Sequence, residues 1–266
     1  MTTAPRPYTF FDVVRSEWTK LRSLRSTYWT FLIALALGVG LGALVSSISA
    51  DHYATDPEVH FGWKPATRSL LSLEMAQLAF AVLGVITVTG EYATGMIRTS
   101  LTAVPKRLRM MSAKLLVFAL SALVVGEVLA FAAFGLGQAL IHSVPGVPSA
   151  SLHQHLVLRI VVGAGLYLVV IGLLGAAFGA IVRHAAAGIA IVVSMLFIIP
   201  GLAEAALPQS WAQPINKYWP TNAGQRIFFP RGGGDNLTAW WGFGDFALFT
   251  ALVIVVAMVV LQRRDA

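Results

Sequence analysis

The residues best suited to chemistry lie in a polar, basic stretch between two long apolar runs, from Gly90 to Lys114. Gly90 and Gly95 have the glycine spacing of a phosphate-binding loop, in which a lysine must follow the second glycine. Here Met96 and Ile97 follow Gly95, and no lysine of the chain comes directly after a glycine. This type of nucleotide site is therefore missing, and we expect no catalytic activity from the chain itself.

Other catalytic and metal-binding patterns are also absent from the sequence. The chain has no cysteine, which excludes disulfides, thiolate catalysis and cysteine-ligated metals. His153 and His155 lie two residues apart without acidic neighbours, which is too sparse for a metal site. No H-E-x-x-H or G-x-S-x-G motif occurs. We predict no cofactor and no metal.

Three polar side chains fall inside apolar runs, where ionisable groups are costly and usually functional. Glu127 lies near the middle of one run. It is either proton-linked or held neutral by a helix–helix hydrogen bond, which we favour, and Tyr167 has a similar expected depth. Glu74 and Gln77 share one face near the end of another run. They either line a transport pathway or sit at the membrane interface.

The elements around these residues have the composition of membrane helices. The chain is 57% hydrophobic and 12% charged, and a soluble domain carries about 25% charged residues. A run of about 20 apolar residues is long enough to cross a bilayer. The chain has six such runs, provided that the fifth continues past a kink at Pro200-Gly201. We predict an all-α integral membrane protein with a six-span domain over 30–266. The predicted spans are 30–49, 70–89, 115–141, 156–182, 185–207 and 242–261.

The segment before the first span, residues 1–29, predicts an amphipathic helix. Phe11, Val14, Trp18 and Leu21 fall on one helical face. The basic residues that flank this face are Arg15, Lys20, Arg22 and Arg25. Such a helix lies in the headgroup plane, with aromatic rings in the lipid and arginines on phosphates. The alternative is an ordinary cytoplasmic tail with a basic bias.

The longest connection, 208–241, is rich in tryptophan and tyrosine, which favour the headgroup level. It predicts an extracellular segment with short re-entrant or surface helices, whose backbone polar groups are shielded by protein. Most of the 19 Lys and Arg residues lie before span 1, between spans 2 and 3, and near the C-terminus. Since the side of the membrane with more basic residues is cytoplasmic, both termini and the segment 90–114 are expected inside. We expect these charges to bind a lipid surface rather than nucleic acid.

Three stretches together resemble the ABC-2 type permease family, the membrane half of one class of ABC exporters. Ser16–Trp29 is similar to the entry helix of the family's actinobacterial branch. The run Glu91-Tyr92-x-x-Gly95-Met96-Ile97-Arg98, with Pro105-Lys106-Arg107 and Lys114, resembles the segment that includes the coupling helix. Tyr218–Gly224 resembles the segment before the last span. The match in order and spacing covers essentially the whole chain.

The resemblance implies an exporter permease of a bacterial plasma membrane. A second permease subunit, identical or different, would complete a pathway with spans 2 and 5 nearest its centre, and two ATP-binding subunits would dock from the cytoplasm. Met96 and Ile97 would insert into a groove of that partner, and Arg98 would pair with an acid there. The expected docking residues are Glu91, Tyr92, Thr94, Gly95, Met96, Ile97 and Arg98.

The remaining basic residues of the segment have a simpler role than docking. We assign Lys106, Arg107 and Arg109 to contacts with lipid phosphates and to setting the membrane topology of the chain. The chain as a whole could instead be an ATPase-independent membrane carrier or a structural membrane protein, which would function without any nucleotide-binding partner.

Overall fold

The computed structural model describes residues 9–23, 25–104, 106–230 and 237–263, and these ranges contain helices and no strands. In chain order the α-helices are α1 Phe10–Ser23, α2 Arg25–Thr55, α3 Pro65–Ser69, α4 Leu73–Ala93, α5 Met96–Ala103, α6 Arg107–Ser143, α7 His155–Val182, α8 Ala185–Val193, α9 Ile199–Ala206, α10 Gln209–Tyr218, α11 Pro220–Gln225 and α12 Ala239–Arg263. A 3₁₀ turn at Pro57–His60 follows α2, and a π-helical turn at Ser194–Ile198 joins α8 to α9.

Six helical stretches of the described residues are long and apolar enough to cross a membrane, which confirms the six-span, all-α prediction. They are Tyr28–Thr55, Leu73–Ala93, Arg107–Ser143, Leu156–Val182, Ala185–Ala206 and Ala239–Arg263. α6 has 37 residues, or about 55 Å at 1.5 Å per residue. Because the hydrocarbon layer is about 30 Å thick, α6 extends well beyond it.

The segment near the N-terminus contains the helix α1, and its amphipathic, interfacial role stays a prediction. It begins at Phe10 because Thr9 and Asp12 cap each other: the Thr9 N–H donates to the Asp12 carboxylate at 2.8 Å, and the Asp12 N–H donates to the Thr9 hydroxyl at 3.3 Å. The Thr9 hydroxyl also donates to the Asp12 carboxylate, at 2.7 Å. The hydrogen bonds from the Thr9 hydroxyl and N–H hold the pKa of Asp12 below its ordinary value. α2 begins at Arg25, so α1 leads almost directly into the first span.

Helices α4 and α7 approach so closely that their backbones touch. A Cβ atom at Gly84 of α4 would collide with the Gly172 carbonyl of α7, and one at Gly175 would collide with the Ala81 carbonyl. In a membrane, helix association depends on van der Waals packing, which small residues at the contact make possible. This pair therefore forms the centre of the bundle, with α6 and α12 packed around it.

The break predicted at Pro200-Gly201 takes the form of a π-helical turn just before the proline. The Ile199 N–H donates to the Ser194 carbonyl, five residues earlier. The Ile199 N–H would serve the Met195 carbonyl in a regular α-helix, but here it is used by Ser194. In the π register the donor to the Met195 carbonyl would be residue 200, and Pro200 has no N–H. The indole N–H of Trp219 donates to this carbonyl at 2.8 Å. The connection 208–241, to which Trp219 belongs, thus holds the fifth span at its irregular turn.

Replacing Trp219 with phenylalanine keeps an aromatic ring but removes this donor. We expect the free energy of unfolding to fall by about 1–2 kcal/mol, because a buried carbonyl is left without a partner. Thermal unfolding of the purified protein in detergent measures the loss. The control is Trp240→Phe, since Trp240 is 58% exposed; equal losses in the two variants would contradict the role of the indole N–H.

The aromatic connection before the last span is partly built into the bundle. Ile227 and Phe228 are fully buried, and a Cβ atom at Gly224 of α11 would meet the ring of Phe246 on α12 at 2.5 Å. In contrast, Trp241 is largely exposed, as expected of an interfacial ring. The glycine triplet 232–234 lies outside the described residues. The extracellular and re-entrant placement of this segment stays a prediction.

Candidate coupling site

One end of the bundle brings together segments that are far apart in the sequence. α1 packs on α6 near the end of α4, and the Arg107 guanidinium at the start of α6 donates to the Leu261 carbonyl near the end of α12 at 3.1 Å. The guanidinium of Arg183, just after α7, lies 5.2 Å from the centre of the Tyr92 ring on α4. We call this the charged end of the bundle.

Four charged side chains form a closed cluster at the charged end. The Lys114 ammonium lies 2.6 Å from a Glu17 carboxylate oxygen and 2.9 Å from Glu91 Oε1. The Lys20 ammonium lies 2.8 Å from the other Glu17 oxygen and 2.9 Å from Glu91 Oε1. Each carboxylate therefore contacts both ammonium groups, and the cluster as a whole is neutral. We refer to these four residues as the four-charge cluster.

The four-charge cluster is shielded from water. The side chains of Glu17, Glu91 and Lys114 are 5%, 5% and 7% exposed, and that of Lys20 is 27% exposed. Burial by itself would lower the pKa of Lys20, but the hydrogen bonds and charges of the two glutamates outweigh it and raise that pKa above its ordinary value. Lys20 therefore stays charged at physiological pH.

The turn from α4 to α5 is built on a glycine. Gly95 has φ +70°, a left-handed conformation that glycine adopts without the steric cost of a Cβ. The N–H groups of Thr94 and Gly95 donate to the carbonyls of Gly90 and Tyr92 at 3.1 and 3.2 Å, closing the end of α4. The spacing that suggested a phosphate loop thus belongs to a helix–turn–helix connection.

The structure divides the expected docking residues into exposed and buried groups. Thr94, Gly95 and Met96 lie on the surface. Glu91 and Ile97 are buried, so these two positions do not offer a contact surface.

Tyr92 and Arg98 complete that set. The Tyr92 ring is half-buried and its hydroxyl is buried. The side chain of Arg98 lies outside the described residues. The docking role of the exposed positions stays a prediction.

α1 exposes the aromatic face expected to meet lipid, with Phe11 74% and Trp18 49% exposed, and Arg22 is exposed as well. Lys20, which the sequence grouped with the flanking basic residues, instead lies against the protein. The side chain of Arg25 is outside the described residues. Glu17 was missed, although its signal was present: Val13, Glu17 and Lys20 repeat at steps of four and three, which marks a second face.

Gln77, a candidate pathway residue, is buried between α4 and α7. Its amide oxygen accepts a hydrogen bond from the Tyr167 hydroxyl at 2.7 Å, and its nitrogen donates to the Glu74 carbonyl at 2.8 Å. In this conformation Gln77 therefore joins α4 to α7, and its role in a pathway stays a prediction. The side chain of Glu74 is half-buried at the start of α4.

Glu127 lies against Gly165 of α7, where a Cβ atom would come within 2.5 Å of the carboxylate carbon. Its Oε2 atom is buried without a hydrogen-bond partner among the described residues. Since the Tyr167 hydroxyl is used by Gln77, the helix–helix hydrogen bond favoured for Glu127 is not formed with that tyrosine.

Comparison with known protein families decides the identity of this bundle. A family model described as "ABC-2 family transporter protein" matches residues 13–201. The chain belongs to this family. The match runs from α1 into α9 and so includes the four-charge cluster and the α4–α5 turn. Among curated proteins, none matches the chain.

Membership of the ABC-2 family confirms the permease prediction. This ABC-2 protein is a multi-pass membrane component of an ABC transporter. The family implies an ATP-binding subunit as the partner in the ABC system.

Proposed function

We propose that this ABC-2 protein is the permease subunit of an exporter, and that an ATP-binding subunit drives it through the α4–α5 turn. The observation that carries the proposal is the exposed turn itself. Thr94, Gly95 and Met96 lie at the surface, while Ile97 and Ser100 anchor α5 to the bundle. Force applied to such a turn passes directly into the second and third spans, because α4 ends and α6 begins beside it.

The surface around the turn suits a protein partner. Apart from the local backbone, no atom of the described residues lies within 4 Å of a Cβ built at Gly90 or Gly95, so a partner can approach the backbone there. Met96 presents apolar area at the turn, and Leu108, Lys106 and Arg109 are exposed near the start of α6. An apolar contact with a charged rim is typical of a protein interface. The two basic residues fit lipid phosphates equally well, so the apolar turn defines the docking surface.

The basic residues at this end support a cytoplasmic location for it. We expect both termini on the same side, in a bacterial plasma membrane. A second permease subunit would complete the pathway, and spans 2 and 5 would line it. The ATPase-independent alternatives, a carrier or a structural membrane protein, lose support because the family implies an ATP-binding subunit.

Met96→Asp tests the docking surface. We expect the variant to insert and fold normally, because Met96 is 38% exposed, but to bind its ATP-binding subunit at least about tenfold more weakly, a loss of about 1.4 kcal/mol. The readouts are recovery of a co-expressed ATP-binding subunit and the ATP hydrolysis rate of the purified complex. The matched control is Leu152→Asp at the opposite end, where Leu152 is also 38% exposed.

Two outcomes would contradict the proposal. One is a Met96→Asp complex that forms and hydrolyses ATP as the unmodified complex does. The other concerns orientation and uses a Thr94→Cys variant, whose label is unique because the chain has no cysteine. A membrane-impermeant maleimide should reach Thr94→Cys from the cytoplasmic side only, and labelling from outside would place the turn beyond the reach of an ATPase.

A further inference from the structure

The four-charge cluster links α1 to the segment that the proposed function assigns to the ATPase. Glu17 and Lys20 belong to α1, Glu91 to the last turn of α4, and Lys114 to the second turn of α6. Ser100 of α5 joins the cluster, because its hydroxyl accepts a hydrogen bond from the Lys20 ammonium at 3.0 Å. Four helices are therefore held at one point.

The geometry leaves α1 little freedom against α5. A lysine ammonium has three N–H donors, and Lys20 uses them on Glu17, Glu91 and Ser100. The Lys114 ammonium contacts the same two carboxylates from α6. Charge-assisted hydrogen bonds of this kind are short and directional. A rotation or slide of α1 would break several of these contacts at once.

Such a cluster is a costly way to gain stability. Burying charges carries a desolvation penalty that their mutual attraction often only balances, and apolar residues of similar volume hold a fold at least as well. What the four charges add is a fixed relative position, or register, of α1, α4, α5 and α6. A fixed relative position matters where one helix must move together with another.

We propose that Glu17, Lys20 and Lys114 are positioning residues that clamp α1 to the α4–α5 turn, so that α1 moves with the turn when the ATP-binding subunit engages it. This proposal rests on the proposed function for the source of the motion. Because α2 begins at Arg25, a displaced α1 pulls on the first span. The clamp thus transmits the displacement of the second and third spans to the first span.

The test uses two spin labels, one on each side of the clamp. Ser16 of α1 and Thr102 of α5 are exposed, and Ser16→Cys with Thr102→Cys can be labelled selectively in a chain without cysteine. Double electron–electron resonance measures the label-to-label distance in lipid nanodiscs. Measurements are made on the permease alone and on its complex with the ATP-binding subunit, before and after a non-hydrolysable ATP analogue is added.

With the cluster intact, we expect one narrow distance distribution that the nucleotide does not change. The disrupting variant replaces all four charges by neutral residues of similar size: Glu17→Gln, Lys20→Met, Glu91→Gln and Lys114→Met. It leaves no uncompensated charge and should fold. Its distance distribution should be broader, and should shift when the nucleotide binds.

The rescue variant reverses every sign in the cluster, with Glu17→Lys, Lys20→Glu, Glu91→Lys and Lys114→Glu. It keeps all four ion pairs, so the narrow, nucleotide-independent distribution should return; a role in stability alone would not require this. If the neutral variant does not fold, Ser100→Ala, which removes one of the three acceptors of Lys20, should still broaden the distribution.

A narrow and unchanged distribution in the folded neutral variant would overturn the clamp. Failure of the proposed function gives a different result. In that case the ATP-binding subunit would not bind, or the nucleotide would move no label in any variant. The comparison of intact, neutral and reversed clusters in the permease alone would still decide whether the clamp exists.

Discussion

Replacing Gly84 with leucine should prevent α4 from docking on α7 and abolish recovery of folded protein from the membrane. A single Cβ atom at Gly84 already collides with the Gly172 carbonyl and lies 2.9 Å from the Ala176 nitrogen. Both obstacles are backbone atoms of one helix, which cannot rotate aside as a side chain can. Overpacking of a core costs about 1–3 kcal/mol where side chains adjust, and we expect a larger loss here.

The measurement is the yield of monodisperse protein after detergent extraction, followed by thermal unfolding of whatever remains. Gly135→Leu is the matched control, because Gly135 lies on the exposed side of α6. Outside its own helix backbone, no atom in the described part of the chain lies within 4 Å of a Cβ built there. It adds the same side chain to a membrane helix without a neighbour to displace. A Gly84→Leu protein as stable as Gly135→Leu would contradict the close contact between α4 and α7.

The six spans could be predicted because hydropathy is a local property of the sequence. A window of about 20 apolar residues is sufficient to indicate a crossing, whatever its neighbours are. The ends were harder to predict, because polar residues such as Asp51 and His52 stop an apolar run without stopping a helix. α2 therefore continues to Thr55, beyond the predicted limit at 49.

The kink of the fifth span could be predicted from local sequence, but the contact that stabilises it could not. Proline indicated the break, since its missing N–H is a property of one residue. The partner of the freed Met195 carbonyl is Trp219, 24 positions further along the chain. No local pattern marks that hydrogen bond, and it became visible only in the folded arrangement.

The side-chain contacts of the candidate site could not be predicted from the sequence. The polar segment after the second span was recognised because charge is rare elsewhere in the chain. Glu91 was assigned to a partner for the same reason, yet its ion-pair partners are Lys20 and Lys114, 71 and 23 positions away. The charge of Glu91 does not make it exposed, because a carboxylate can be buried when two ammonium groups accompany it.

Removal of Lys114 alone is the second change for which we expect a large effect. Lys114→Met leaves Glu17 and Glu91 with one ammonium group between them, in a place where both carboxylates are 5% exposed. Breaking a buried ion pair from one side costs about 3–5 kcal/mol, because the remaining charge is desolvated without compensation. Since native proteins are stable by only about 5–15 kcal/mol, the variant should unfold at a markedly lower temperature.

The comparison that interprets this loss is the fully neutral variant described above. It contains the same Lys114→Met change, but no carboxylate is stranded, so its stability should lie within about 1–2 kcal/mol of the unmodified protein. One substitution should therefore be more harmful than four. If Lys114→Met were the milder of the two in thermal unfolding, the charges would be contributing attraction rather than register, and the cluster would have to be regarded as a stabilising element instead of a clamp.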